Sequence, residues 1–210
     1  MPRVSRAEAQ LHREAITDAS ARLFKERGPK AVSVAELMGA AGLTHGGFYG
    51  HFESKDALAG AAIGRAFEQA AQRWQKRIAG KAGAAGRRTA LVEAYLAPRS
   101  VREVGGGCPT VALAGDVARE APDAPMRAAY GHGLETLVDL LAGVEARVED
   151  GSDADAHRRA ALADYALMAG ALMLARATAG TPLSEQFLAA ARERLLAPAP
   201  RRPPRAARGA

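Results

Sequence analysis

Residues 41–58, AGLTHGGFYGHFESKDAL, interrupt a chain that otherwise reads as a string of helices. Four glycines, two histidines and three aromatics crowd into eighteen positions there. Helix signals are dense on both sides. Ser5 with Glu8 three residues on has the form of a capping box, and Leu11, Ala15, Ile16, Ala19, Leu23 and Phe24 recur at helical spacing after it. Gly28-Pro29 stops that helix. Ser33 with Glu36 opens a second, short helix that Gly42 ends. Thr44 is placed to cap a third, which must finish before Ser54. Ser54 opens a long fourth helix with Leu58, Ala62, Phe67 and Trp74 on one face. No alternating run is long enough to argue for a strand, so the expected class is all-α.

Three helices, with a glycine-containing turn between the second and third, fit a helix-turn-helix. In a helix interior Gly46 and Gly47 would each cost roughly 1 kcal/mol relative to alanine. A recognition helix lying in a DNA groove has a use for small residues where backbone meets duplex, and for polar or aromatic ones where side chains reach phosphates and bases. The competing reading of the same glycines is a plain loop.

The stretch VSVAELMGAAGLTHGGFYGHFESKDAL resembles the DNA-binding domain of the TetR/AcrR family of transcriptional repressors. Val34, Ala35, Ala41-Gly42-Leu43, Phe48-Tyr49, His51-Phe52, Ser54-Lys55 and Ala57-Leu58 carry the resemblance, with Ala19, Leu23, Phe24 and Gly28 upstream. It implies an N-terminal three-helix helix-turn-helix domain at 1–55 and a helical ligand-binding and dimerisation domain at 56–197. It also implies a double-stranded DNA operator, a small-molecule effector and a homodimer as partners. By resemblance Ser33, Thr44, His45, Gly46, Gly47, Tyr49, His51 and Lys55 form the DNA-binding set. His45, Gly46 and Gly47 would approach bases, whereas Tyr49, His51 and Lys55 would approach phosphates. Ser33 and Thr44 begin helices, where free N–H groups favour phosphate and where capping alone is the alternative. Lys55 at a helix N-terminus opposes the dipole, which points to a reason other than stability. Phe48 and Phe52 are expected in the core. The family often carries larger residues at positions 47 and 50, so glycine at both leaves the operator sequence open.

The net charge of +6 sits mostly at the C-terminus. The tail 198–210 contributes Arg201, Arg202, Arg205 and Arg208 without an acid and reads as disordered, whereas 56–197 balances to zero. The longest nearly uncharged stretch, Tyr165–Ala175, is too short to cross a bilayer, so no membrane partner is expected. A single cysteine excludes an internal disulfide, and the N-terminus has no signal-like apolar block, both consistent with a reducing cytoplasm. His12, His45, His51, His132 and His157 are dispersed. Neither a catalytic set, a metal-ligand spacing nor a nucleotide loop is present, so neither an enzyme nor a cofactor is expected.

By resemblance, helices near 56–80, 87–97, 107–119 and 126–149 enclose an effector cavity. Its expected lining is Phe67, Trp74, Tyr95, Cys108, Leu113, Met126, Tyr130, Leu137, Tyr165 and Met168, each with plain core as its alternative. Apolar walls with a few hydroxyls suit a hydrophobic or aromatic molecule. AALADYALMAGALMLARATAG and SEQFLAAARERLL, the latter capped near Thr181 or Ser184, are the expected pairing helices of the dimer. Cys108 precedes Pro109 where a helix starts, a position that favours a thiolate. A cysteine-based redox or electrophile sensor is therefore an alternative to the ligand-released repressor, and a buried small hydrophobe is the bland reading of the same thiol. A third possibility is an architectural DNA-binding protein without a ligand. The triple glycine 105–107 reads as a flexible connection or an anion cradle.

Overall fold

The computed structural model describes residues 5–145 and 154–197; the basic tail and the last residues of the expected 126–149 helix fall outside them. Helix α1, Arg6–Arg27, starts at Ser5, whose Oγ accepts the Glu8 N–H at 3.2 Å. It ends at Gly28, whose φ of +80° only glycine adopts freely. Its buried face carries Ile16, Ser20, Ala21, Phe24 and Lys25, while Leu11 stays exposed. Helix α2, Val34–Ala40, has a complete capping box: the Glu36 N–H donates to Ser33 Oγ, and the Ser33 N–H donates to Glu36 Oε2 at 2.8 Å. The Ser33 backbone and hydroxyl bonds, then Arg27, hold the Glu36 carboxyl down to about 2.

The third segment departs from expectation. His45–Gly50 forms a 3-10 helix rather than an α-helix, and Thr44 occupies its N-cap position without a side-chain bond. Three glycines in six residues deprive an α-helix of propensity, and about two tight 3-10 turns suffice to drive Phe48 into the core. Phe48 stacks on Phe52 at 6.1 Å, and the Arg13 guanidinium lies 4.1 Å over the Phe52 ring.

Helix α3, Lys55–Ile78, starts at Ser54 Oγ, which accepts the Ala57 N–H at 3.0 Å. It packs along α1 and most extensively along α7, Pro125–Glu145. Between them run α4, Gly83–Tyr95, which begins four residues earlier than expected; the short α5, Arg99–Arg102, which had no sequence signal; and α6, Pro109–Ala118. The last pair is α8, Ala154–Ala177, and α9, Pro182–Leu196, which pack on each other. Ser184 is not a cap. It is buried and donates to the Ala175 carbonyl at 2.7 Å, locking α9 to α8.

The bilayer expectation needs correction, because α8 as a whole is long and apolar enough to cross a membrane by length and composition. Tyr165–Ala175 understated it by stopping at the nearest charges. Here α8 buries Ala161, Tyr165, Met168, Ala171, Leu172 and Ala175 against neighbouring helices. Its other side leaves Leu162, Leu167, Met173 and Leu174 exposed, Met173 by 52%.

Candidate functional site

Two regions gather the residues singled out by sequence. The first is the surface of the 3-10 helix. Tyr49 is 75% exposed, edge-on to Phe48 at 5.2 Å, and Thr44, His45, Gly46, Gly47 and Gly50 are exposed beside it. A Cβ at Gly46 or Gly50 would meet no atom within 4 Å, and neither glycine has a positive φ. The fold itself therefore does not require glycine at either position. His51 is half-buried, edge-on to His12 at 5.8 Å, and its carbonyl accepts a bond from the Arg13 side chain. Burial, then His12, then Arg13 push the His51 imidazole below its ordinary range. Lys55 is partly buried at the first turn of α3. Ser33 is exposed, but its hydroxyl donates to Glu36 Oε2 at 2.8 Å, so its proton is committed to the capping box. Arg13, absent from the sequence-derived set, joins this surface.

The second region is a cavity of about 140 Å³ between α3, α4 and the loop before α6. Trp74, Tyr95, Cys108 and Leu137 line it, as expected of them. Tyr165 stands behind this wall, 5.9 Å from Trp74 and 6.5 Å from Tyr95 between ring centres. The remaining expected residues lie elsewhere. Phe67 and Tyr130 form their own edge-to-face pair at 5.3 Å, while Leu113, Met126 and Met168 are buried in helix packing. Helical spacing marks which positions point inward but not which inward positions border a void.

The hydroxyls form a chain. Tyr95 donates to Cys108 Sγ at 3.0 Å, Tyr165 and Thr110 share a bond of 2.7 Å, and Tyr130 donates to the Thr110 carbonyl at 3.1 Å. Burial raises all three tyrosines, Tyr130 to about 12, so they remain phenols. Arg73, Arg77 and Glu103, which sequence reasoning missed, form the charged part of the wall together with Arg99. Arg73 and Arg77 flank Trp74 at helical spacing, a signal available in RWQKR. The triple glycine is no mere hinge. A Cβ at Gly107 would fall 2.4 Å from the Glu103 carbonyl oxygen and 2.6 Å from Arg176 Nη2, so the loop and the guanidinium close on that position.

Residues 16–62 match the family model described as bacterial regulatory proteins, tetR family. Its N-terminal segment is of the tetR-family type. The HTH-type transcriptional regulator AcrR of Shigella flexneri is 41% identical over 58 residues, which is 28% of this chain and 27% of that relative's length. Among solved structures, the reduced form of NemR from E. coli is 25% identical, with a TM-score of 0.69 over 86% of this chain and 94% of that one. A TetR regulator from Chloroflexus aurantiacus is 26% identical, with a TM-score of 0.71 over 90% and 94%. A sequence-matched N-terminal part is followed by an all-α remainder that these two solved structures match in shape.

Proposed function

We propose that this chain is a TetR-family regulator, a cytoplasmic homodimeric repressor that binds a double-stranded DNA operator and is released by a small molecule in the Trp74 cavity. Residues 1–55 form its DNA-binding domain and 56–197 its sensing and dimerisation domain. The observation that carries the reading is the exposed 3-10 surface, where Tyr49 and three glycines present a polar, backbone-accessible face that the fold does not otherwise use. Gly46 and Gly50 allow duplex contact at the backbone, and Thr44, His45, Gly47, Tyr49, His51 and Lys55 complete the contact set. Ser33 takes part through its backbone and its helix N-terminus.

One rigid element joins the two regions. Lys55 and Trp74 lie on α3, nineteen residues and about 28 Å apart at the helical rise. Asp18 on α1 accepts from Arg65 at 2.6 Å and from Gln69 at 2.9 Å, both on α3. Lys30 reaches Glu120, beyond α6, at 2.9 Å. A ligand that prefers another placement of α3 moves Lys55 with it, and a coupling of about 1–3 kcal/mol weakens operator binding by 5- to 150-fold. Pairing uses the exposed apolar side of α8 with Leu183 at the start of α9.

Tyr49→Ala and Lys55→Ala test the DNA face. Each is expected to weaken operator binding with the unfolding midpoint unchanged, and Lys55→Ala also to reduce the salt slope by about one, because only the lysine neutralises a phosphate charge. Fluorescence anisotropy over a salt series measures both quantities; an unchanged slope in Lys55→Ala would remove Lys55 from the phosphate contacts, and an unchanged affinity in Tyr49→Ala would remove Tyr49.

A second reading, thiol sensing, is favoured by the place of Cys108, whose Sγ lines the cavity beside the Tyr95 hydroxyl at the start of α6. N-ethylmaleimide is then expected to release operator DNA from the wild type and not from Cys108→Ser. Equal release from both proteins rules the reading out.

A further inference from the structure

The His45–Gly50 segment has few means of holding its shape. Gly46 and Gly50 have no side chain to pack, Thr44 makes no side-chain cap bond, and a Cβ at Gly47 would touch only the Met38 methyl at 3.6 Å. Phe48 and Phe52 anchor the segment in the core, and the His51 and Phe52 N–H groups donate to the Phe48 carbonyl at 2.9 and 3.0 Å. The carbonyls at a helix end have no partner within the helix, and glycine-rich backbone has the most freedom to lose on ordering.

Arg13 closes that end. It is exposed, on α1, 38 residues from His51 in sequence. Its Nη1 donates to the carbonyl of His51, the C-cap residue, while its guanidinium carbon lies 4.1 Å over the Phe52 ring. Among the described residues this is the sole side-chain hydrogen bond to 44–52. A planar guanidinium can meet a carbonyl with its edge and a ring with its face at the same time. The adjacent His12 meets the His51 ring edge-on at 5.8 Å. Further along α1, Asp18 accepts from Arg65 and Gln69 of α3. One helix thus fastens the 3-10 segment to the helix that begins with Lys55.

We propose that Arg13 is a positioning residue for operator recognition, clamping the end of the 3-10 helix so that His45 and Tyr49 meet the duplex in register. The proposal rests on the reading of this surface as the DNA face. Arg13 acts through His51 and Phe52 rather than on a phosphate, because its face covers the ring and its Nη1 is committed to the carbonyl. Lys55 belongs to α3, which the Ser54 cap and helix packing hold without the clamp, so the charge it brings to the duplex does not depend on Arg13.

Arg13→Met keeps an apolar cover over Phe52 and removes the fork. Fluorescence anisotropy over a salt series compares it with the wild type on a duplex that the wild type selects from a random pool and on a scrambled duplex, with unfolding midpoints measured alongside. The variant is expected to bind the selected duplex about tenfold or more weakly and the scrambled one within about twofold of the wild type, with both salt slopes unchanged. Arg13→Lys keeps the charge as a single point donor and is expected to recover only part of the loss; it carries the same comparison if methionine costs the fold. A salt slope lower by about one, with equal weakening on both duplexes, would make Arg13 a phosphate contact and overturn the positioning role. Undiminished binding of the selected duplex by Arg13→Met, or wild-type affinity in Arg13→Lys, overturns it as well while leaving the DNA face standing. A wild type that prefers no duplex overturns the DNA-face reading and the clamp together.

Discussion

Lys25→Met will be more stable than the wild type at pH 7, by up to about 3 kcal/mol. The bound comes from the drop of the Lys25 ammonium from its ordinary 10.5 to about 8, at 1.36 kcal/mol per unit. Burial is the main cause and Arg73 the next, and methionine relieves both while filling the same space. The pH dependence fixes the sign. Below about 8 folded and unfolded chains both hold the proton, and the wild type carries the full penalty. Between about 8 and 10.5 the unfolded chain holds the proton that the folded one has released, so wild-type stability rises with pH relative to the variant. Above that range the two converge. Urea unfolding of both proteins at pH 7 and near pH 10.5, compared as a difference so that other groups cancel, measures the effect. A variant less stable at pH 7 would mean that Lys25 has a stabilising native partner.

The second large effect is at Gly133 on α7. A Cβ there would lie 2.3 Å from Cγ and 2.5 Å from Cβ of Phe67 on α3. These are the near atoms of a buried ring that is also fixed edge-on by Tyr130, so the clash cannot be relieved by rotating a side-chain end. Separation of α3 from α7 is the only remedy, in the most extensive helix contact of the molecule. Gly133→Ala is therefore expected to destabilise by about 2 kcal/mol or more, even after the roughly 1 kcal/mol that alanine returns in helix propensity. Gly131, two residues away on the same helix, faces open space. Gly131→Ala keeps the propensity gain without the clash and is expected to stabilise by up to about 1 kcal/mol. Denaturant midpoints of the two variants should move in opposite directions, and a shift of both in the same direction would contradict the packing described for α3 and α7.

The parts of the fold that could be read from sequence were those set by local chemistry. Ser5, Ser33 and Ser54 begin helices because a hydroxyl satisfies a nearby N–H, and Gly28 ends one because its φ is positive. The 3-10 form of His45–Gly50 was not legible, since it reflects a balance between three poor helix formers and the burial of Phe48. In the cavity, Trp74, Tyr95, Cys108 and Leu137 were legible as large or reactive residues on inner faces. Phe67, Tyr130 and Met168 share that signature, and only the packing of helices separates wall from core. Lys25 was hidden in the run FKER, which reads as a solvated helix end. It lies about 100° round the helix from Phe24 and is buried where α3 and α6 pack against α1.

Selection of bound duplexes from a random pool, followed by titration of the winner and a scrambled duplex at one salt concentration, tests the central claim most directly. A paired chain presenting two His45–Gly50 surfaces is expected to enrich an inverted repeat with half-sites about 34–36 Å apart or multiples of that spacing. It should bind that duplex about a thousandfold or more tighter than the scrambled one. No enrichment, with equal or absent binding of both duplexes at low salt, would contradict the assignment of the 3-10 surface to DNA.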